Sequence, residues 1–373
     1  MMRENHSTAP QQGTALLVTC MACLSLTLVT VQAQDWGTMG PITPRGYVCY
    51  RAIEPIRIDG RLTDIAWQDA AWTQFFVDIR GEDWPSPRHR TRARLLWDDD
   101  YLYVSALLEE PHVWGRLVER NAVIFYDNDF EIFIDPDGDN HLYYEFEVNA
   151  LNTIWELTLD RPYKDGGPAT HGTNIPGLRS AVHVEGSLNA PWDTDQFWSV
   201  EVAIPWSGLE RYSSRPVPPA DGEQWRINFS RVQWQHEVVD GLYQKLADTS
   251  EDNWVWSPQG IVDMHRPERW GFVQFSTAEP DSASFVPDPS LATRDLLMRV
   301  YHEQKRFRET NGRWATALEE LDLDELGRTG RQPGVVRFEV TGDTFIVEAT
   351  YTTADGQRLK YSTNAESKIW RSP

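Results

Sequence analysis

The sequence predicts a mainly β protein: an antiparallel β-sandwich of the jelly-roll or immunoglobulin-like kind, followed by a small α+β domain. Three observations carry this expectation. From Arg57 to Phe275, short runs with period-two alternation recur between Gly, Pro, Asp and Asn turns. The chain holds 17 Trp, 13 Tyr and 14 Phe, enough aromatic bulk to fill a sandwich core and leave several rings for a binding face. Past Thr277 the composition turns to Ser, Ala, Asp and Pro, and a helical period with further alternating runs follows.

Each element has its own signal. Arg92–Leu96 and Tyr101–Leu108 are β-rich runs joined by Asp98-Asp99-Asp100, which predicts a hairpin. Phe130–Ile134, Leu142–Val148, Ile154–Leu159, Trp198–Ile204, Arg226–Trp234 and Trp270–Phe275 supply further strands. This many strands without a long intervening helix imply a sandwich over residues 34–276. Arg161–Gly177, rich in Gly, Pro and polar residues, reads as a long loop of the kind that borders ligand sites. Residues 277–289 read as a linker. In 290–373, Leu296, Leu297, Val300, Tyr301 and Phe307 recur at helical spacing, and Asn311-Gly312 ends the helix. Val335–Val340, Thr344–Thr352 and Arg358–Ser362 then alternate as strands around Gly342-Asp343 and Asp355-Gly356 turns.

The N-terminus predicts export. Thr14–Val31 is an almost unbroken apolar run, and Val31-Gln32-Ala33 places small residues where a signal peptidase reads, so residues 1–33 are expected to be removed before Gln34. The mature protein is then secreted, periplasmic or on the cell surface, and would be membrane-held only if this segment stayed uncleaved. Cys20 and Cys23 lie within it, which leaves Cys49 alone and excludes an internal disulfide. A net charge of -21 and the lack of any basic stripe exclude nucleic acid as a partner and suit a neutral sugar or a multivalent cation.

Alternation also assembles a polar face. Tyr144, Phe146 and Val148 share one side of their strand, which leaves Glu145, Glu147 and Asn149 on the other. Glu131 opposes Phe130, Ile132 and Ile134, and Arg226 and Asn228 oppose Ile227 and Phe229. Glu131, Glu145, Glu147, Asn149, Arg226 and Asn228 can therefore share one sheet face. This is a site if a ligand, Arg226 or a cation offsets the stacked glutamates, and an ordinary solvated face otherwise. Separately, Asp135, Asp137 and Asp139 alternate just past a strand, and hard oxygen ligands at that spacing suit calcium. The competing reading is a polar turn, and the spacing is not that of an EF-hand. Paired glutamates also raise a glycoside hydrolase as an alternative.

The ordered string of motifs resembles a family 9 carbohydrate-binding module. The matching pieces are Ile58-Asp59-Gly60 with Ala66-Trp67, Leu96-Trp97-Asp98 with Tyr101-Leu102-Tyr103-Val104, and Asp129 to Asp135. Trp198 to Pro205, Trp225 to Phe229 and Trp254 to Gly271 follow in order. The resemblance implies a sandwich that holds the end of a sugar chain between two aromatic planes, without catalysis, and with calcium as a common companion. It places the first clamp aromatic at Phe125, with Tyr126 adjacent, and the second near Met264, beside His265, where no aromatic stands. It further implies a sugar contact at Glu131 and a polar cleft residue at Asn228, and puts Glu147 where the family has an arginine. Related sandwiches also hold haem through Met and His, but Met264 and His265 are neighbours in the chain and point to opposite sides of a strand.

Overall fold

The structure is a computed structural model that describes residues 42–323 and 334–372. The expected export segment lies outside the described residues. In chain order the first domain contains β1 (Gly46–Arg51), β2 (Val77–Asp78), β3 (Thr91–Trp97), β4 (Tyr101–Glu109), β5 (Asp129–Asp135), β6 (Tyr143–Asn149) and β7 (Ile154–Leu159). It continues with β8 (Ala169–His171), β9 (Arg179–Glu185), β10 (Phe197–Pro205), β11 (Gln224–Gln233), β12 (His236–Val239), β13 (Leu242–Lys245), β14 (Asp252–Val255) and β15 (Gly271–Ser276).

All but the β12–β13 hairpin join one sheet in the order β8-β7-β6-β5-β11-β15-β1-β3-β4-β10-β9, with β14 added to β11 and β2 to β14. The two halves of this sheet enclose a common core. Phe130, Ile132, Ile134, Tyr144, Phe146 and Phe229 from one half pack with Leu95, Leu102, Val104, Trp198 and Val200 from the other. The alternation in the sequence predicted the inward placing of Phe130, Ile132, Ile134, Tyr144, Phe146 and Phe229 correctly. One departure is local: β1 pairs in parallel with both β15 and β3, so the sandwich is not antiparallel throughout. β1 joins the two halves of the sheet, and neither neighbour follows it directly in the chain, so no hairpin imposes an antiparallel pairing.

The motifs that carry the resemblance meet at a buried carboxylate. Glu201 on β10 accepts hydrogen bonds from the backbone N–H of Asp59 (2.9 Å) and Gly60 (2.7 Å) and from Trp67 Nε1 (2.8 Å). Gly60 has φ +81°, and a Cβ there would stand 2.6 Å from the Val182 carbonyl carbon, so only glycine fits between the turn and β9.

The second module packs the helix Leu291–Asn311 on four antiparallel strands: β16 (Gly334–Thr341), β17 (Thr344–Thr352), β18 (Arg358–Asn364) and β19 (Ile369–Ser372). Leu296, Leu297, Val300 and Tyr301 face Phe345, Val347, Ala349 and Ile369 in a core separate from that of the sandwich. Gly312, at φ +68°, closes the helix as its sequence predicts. The intervening 277–289 segment forms no helix or strand, yet Val286 N–H bonds Gln274 and Ala283 N–H bonds Tyr50, so it is fastened to the sandwich. A buried polar network fastens the module itself. Lys164 and His302 flank Glu268 at 3.2 and 3.3 Å, and Asp165 receives Lys305 (2.8 Å), the Tyr301 hydroxyl (2.6 Å) and the Ser367 hydroxyl (2.6 Å).

Candidate functional site

The outer face of β5, β6 and β7 is not solvated. Every residue of β5 and β6 is buried on both faces, because a second apolar cluster covers the sheet from outside. Ile124, Phe133, Tyr143, Trp155, Leu157, Met264 and Trp270 form it, with Phe125 packed at its edge. The alternative of an ordinary solvated face thus fails: the glutamates lie beneath loop residues 117–126 and 256–270, which alternation along a strand cannot reveal.

A cleft of 250 Å³ remains in this cover, lined among others by Phe125, Glu131, Glu145, Glu147, Trp155, Tyr163, Met264 and His265. Strand register explains the convergence. Glu147 stands between Glu131 on β5 and Trp155 on β7, and Glu145 stands between Phe133 and Leu157. Phe125, on the short 3-10 turn Ile124–Tyr126, donates its N–H to Glu147 Oε2 at 3.1 Å. Its ring lies 6.3 Å from that of Trp155 at 31°, so the two form one aromatic wall. Trp155 in turn stacks on His171 at 5.3 Å and 14°, and its indole N–H has no partner. The wall therefore offers an apolar plane beside carboxyl groups that can accept.

Burial governs the electrostatics. It raises Glu131 to about 7. Burial, with Glu131 next in importance, raises Glu145 to about 8 and Glu147 and Asp129 well above the carboxylate range. His265 is pushed down to about 4 by burial, and its neutral ring hydrogen-bonds Tyr143 through Nδ1 at 3.0 Å.

Of the residues predicted from sequence, Phe125, Glu131, Glu145, Glu147 and His265 come together in this cleft. Four others do not. Tyr126 is 53 % exposed and turns outward, under Lys245. Asn149 is occupied by Leu117 O and Asp127, and Asn228 holds the backbone of Ser257 through both its amide atoms. Arg226 donates to Trp270 O and lies over the Phe272 ring, facing the second module rather than the glutamates. Met264 does border the cleft without an aromatic plane, and Trp155 on β7 extends the wall that Phe125 begins.

The Asp135–Asn140 turn does not gather its three carboxylates around a common point. Asp135 accepts the N–H groups of Gly138 and Asn140, Asp137 those of Ser214, and Asp139 that of His141. Their cations are Arg215 for Asp137 and Lys368 for Asp139. The turn serves instead as the seat of the second module: Asp139 O accepts from Ile369 N–H, Asn140 donates to Ser367 O, and Arg294 donates to Gly138 O. These residues do not fit a calcium ion as they stand, because their oxygens are spent on the turn and its partners.

A sheet-built sandwich with an aromatic and acidic cleft defines a ligand-binding β module, and comparison with known proteins gives its kind. Residues 58–258, more than half of the chain, match the family described as carbohydrate family 9 binding domain-like, and the chain belongs to that family. It is 30 % identical over 155 residues to Exoglucanase XynX of Acetivibrio thermocellus, a stretch covering 41 % of this chain and 12 % of that one. It is 26 % identical over 153 residues to Endo-1,4-beta-xylanase A of Thermoanaerobacterium saccharolyticum, covering 41 % of this chain and 11 % of the relative. The match thus spans only about a tenth of the length of these curated relatives. Among solved structures, a family 9 module from Caldicellulosiruptor kristjanssonii in complex with cellotriose aligns with TM-score 0.39 and 15 % identity, over 65 % of this chain and 100 % of that one.

Proposed function

We propose that this protein is an exported, non-catalytic binder of carbohydrate that takes one sugar ring, or the end of a glycan chain, into the cleft of Phe125, Trp155 and the three glutamates. The observation that carries the reading is the juxtaposition of the Phe125–Trp155 wall with Glu131, Glu145 and Glu147. A pyranose presents apolar C–H faces to an aromatic plane and hydroxyls to acceptors around its rim, and both are supplied here. A volume of 250 Å³ suits a single ring rather than a long chain lying flat. Protonated carboxyls suit neutral hydroxyls, since each can both donate and accept.

The names of the relatives make β-1,4-linked gluco- and xylo-oligosaccharides the first probes. Calorimetric titration of the full chain is expected to show saturable binding of at least one of them. Trp155→Ala should weaken that binding about tenfold or more, in keeping with the loss of one well-placed aromatic contact. A glycan panel with no binder would overturn the reading, and reducing-sugar release abolished by Glu131→Gln would replace it with a hydrolase. Export is tested by N-terminal sequencing of protein recovered outside the cytoplasm. A start at Gln34 supports it and a start at Met1 opposes it.

A further inference from the structure

We infer that Asp129, Glu131 and Glu147 form a divalent-cation site, of the size and hardness of calcium, at the floor of this cleft. One carboxylate oxygen from each of the three lies within 4.8 Å of the others. Oxygens bound to one calcium at about 2.3–2.6 Å can stand no further apart than about 5 Å, so the three can share an ion. Asp129 and Glu131 come from β5, and Glu147 faces Glu131 across the ladder from β6.

Two further facts point to a ligand there. Glu145, a fourth carboxyl on the same strand face, is 3 % exposed, lines the same cleft, and has no hydrogen-bond partner for Oε2. Asp129 is fully buried and its Oδ2 is likewise without a partner, while Oδ1 is satisfied by Val232 N–H. Other buried acids have either a cation or backbone N–H donors: Asp135 has the N–H groups of Gly138 and Asn140, and Asp195 those of Val113 and Ser187. Glu110 has Arg231, Glu268 has Lys164, Glu156 has Arg120, Asp165 has Lys305, and Glu201 has three N–H donors. Among the described residues no cationic side chain pairs with Asp129, Glu131, Glu145 or Glu147; Lys245, nearby, is held over the Trp234 ring at 3.4 Å. Buried acids without a counter-charge are costly, and a cation resolves that cost.

The three protein oxygens leave coordination positions to be filled, and Glu131 and Glu147 line the cleft itself. On the cleft side those positions suit water or a pair of neighbouring sugar hydroxyls; this second step rests on the carbohydrate reading, whereas the cation site does not.

The test is calorimetric titration of calcium chloride into the chelator-stripped full chain, without sugar. One ion is expected to bind, with affinity lowered about tenfold or more by Glu147→Gln and by Asp129→Asn and unchanged by Asp137→Asn. If Asp129→Asn does not fold, Glu131→Gln carries the same comparison, with near-ultraviolet dichroism confirming the fold. Equal affinity in all variants, no binding by the wild type, or a loss confined to Asp137→Asn overturns the proposal. Oligosaccharide titrations with and without chelator then separate the two readings. Calcium binding with chelator-insensitive sugar binding retains the site and removes the hydroxyl ligation. Calcium binding with no sugar bound under either condition retains the site and removes the carbohydrate reading.

Discussion

Replacing Glu145 by glutamine should stabilise the protein in alkaline solution and leave it unchanged in mildly acid solution. The Glu145 carboxyl stands at about 8 in the fold against an ordinary 4.5, pushed there first by burial and then by Glu131. A raised acid pKa means that the folded state holds the proton more tightly than the unfolded chain. Its favourable contribution is complete below about 4.5 and is lost as the pH climbs through about 8. At about 1.4 kcal/mol per pKa unit, the ionised group costs the fold up to about 5 kcal/mol at high pH, part of which Glu131 and Glu147 share. At about 2–4 °C per kcal/mol for a domain of this size, the upper bound is a gain of roughly 10–20 °C in Tm for Glu145→Gln near pH 8.5, with a change within about 2 °C near pH 5. The assay is differential scanning calorimetry in chelator, since a bound cation would remove the repulsion being measured. An effect of equal size at both pH values, or a loss of stability near pH 8.5, would refute the reasoning, because a packing or hydrogen-bond defect has no reason to follow the carboxyl's titration.

Three other outcomes follow from the fold. Glu201→Ala leaves two backbone N–H groups and the Trp67 indole buried without an acceptor, and at about 1–3 kcal/mol each the loss should be about 4 kcal/mol by denaturant unfolding. Gly60→Ala must force a Cβ against the Val182 backbone at positive φ and should cost about 2–4 kcal/mol in the same measurement. Asp165→Asn removes the carboxylate shared by Lys305, Tyr301 and Ser367 and should make the C-terminal module open to limited proteolysis. Burial opposes ionisation of Asp165, but Lys164 and Lys305 overcome it and hold its pKa below 3.8. The stability it gives is present above 3.8 and lost as the pH falls below that, so acid should reproduce the proteolysis in the wild type.

The strands were legible because alternation reports which side chains enter a core, and Phe130, Ile132, Ile134, Tyr144, Phe146 and Val148 all do so. The helix at Leu291 was legible for the same reason, with its end marked by Gly312. What alternation cannot report is what lies over the opposite face. Glu131, Glu145 and Glu147 read as polar and hence exposed, yet the loops 117–126 and 256–270 bury them, and the polar pattern alone is identical in both cases. The Asp135–Asn140 turn illustrates the same limit: its acids read as metal ligands because their partners, Ser214, Arg215 and Lys368, lie far along the chain.

Trp155 shows where a position-by-position comparison with a family loses the site. The resemblance seeks an aromatic near Met264, and the cleft has none there. In the ladder, Trp155 stands beside Glu147, and Glu147 beside Glu131, so β7, β6 and β5 present an indole and two carboxyls in one row. A cleft constrains which groups stand around it more tightly than which strand supplies each one, provided the row remains in register. On that view the acid at position 147 and the indole at position 155 belong together. Glu131 stands with two more glutamates and a buried aspartate, none of them paired with a cationic side chain among the described residues, and the positive charge that offsets them has to come as protons or as a metal ion.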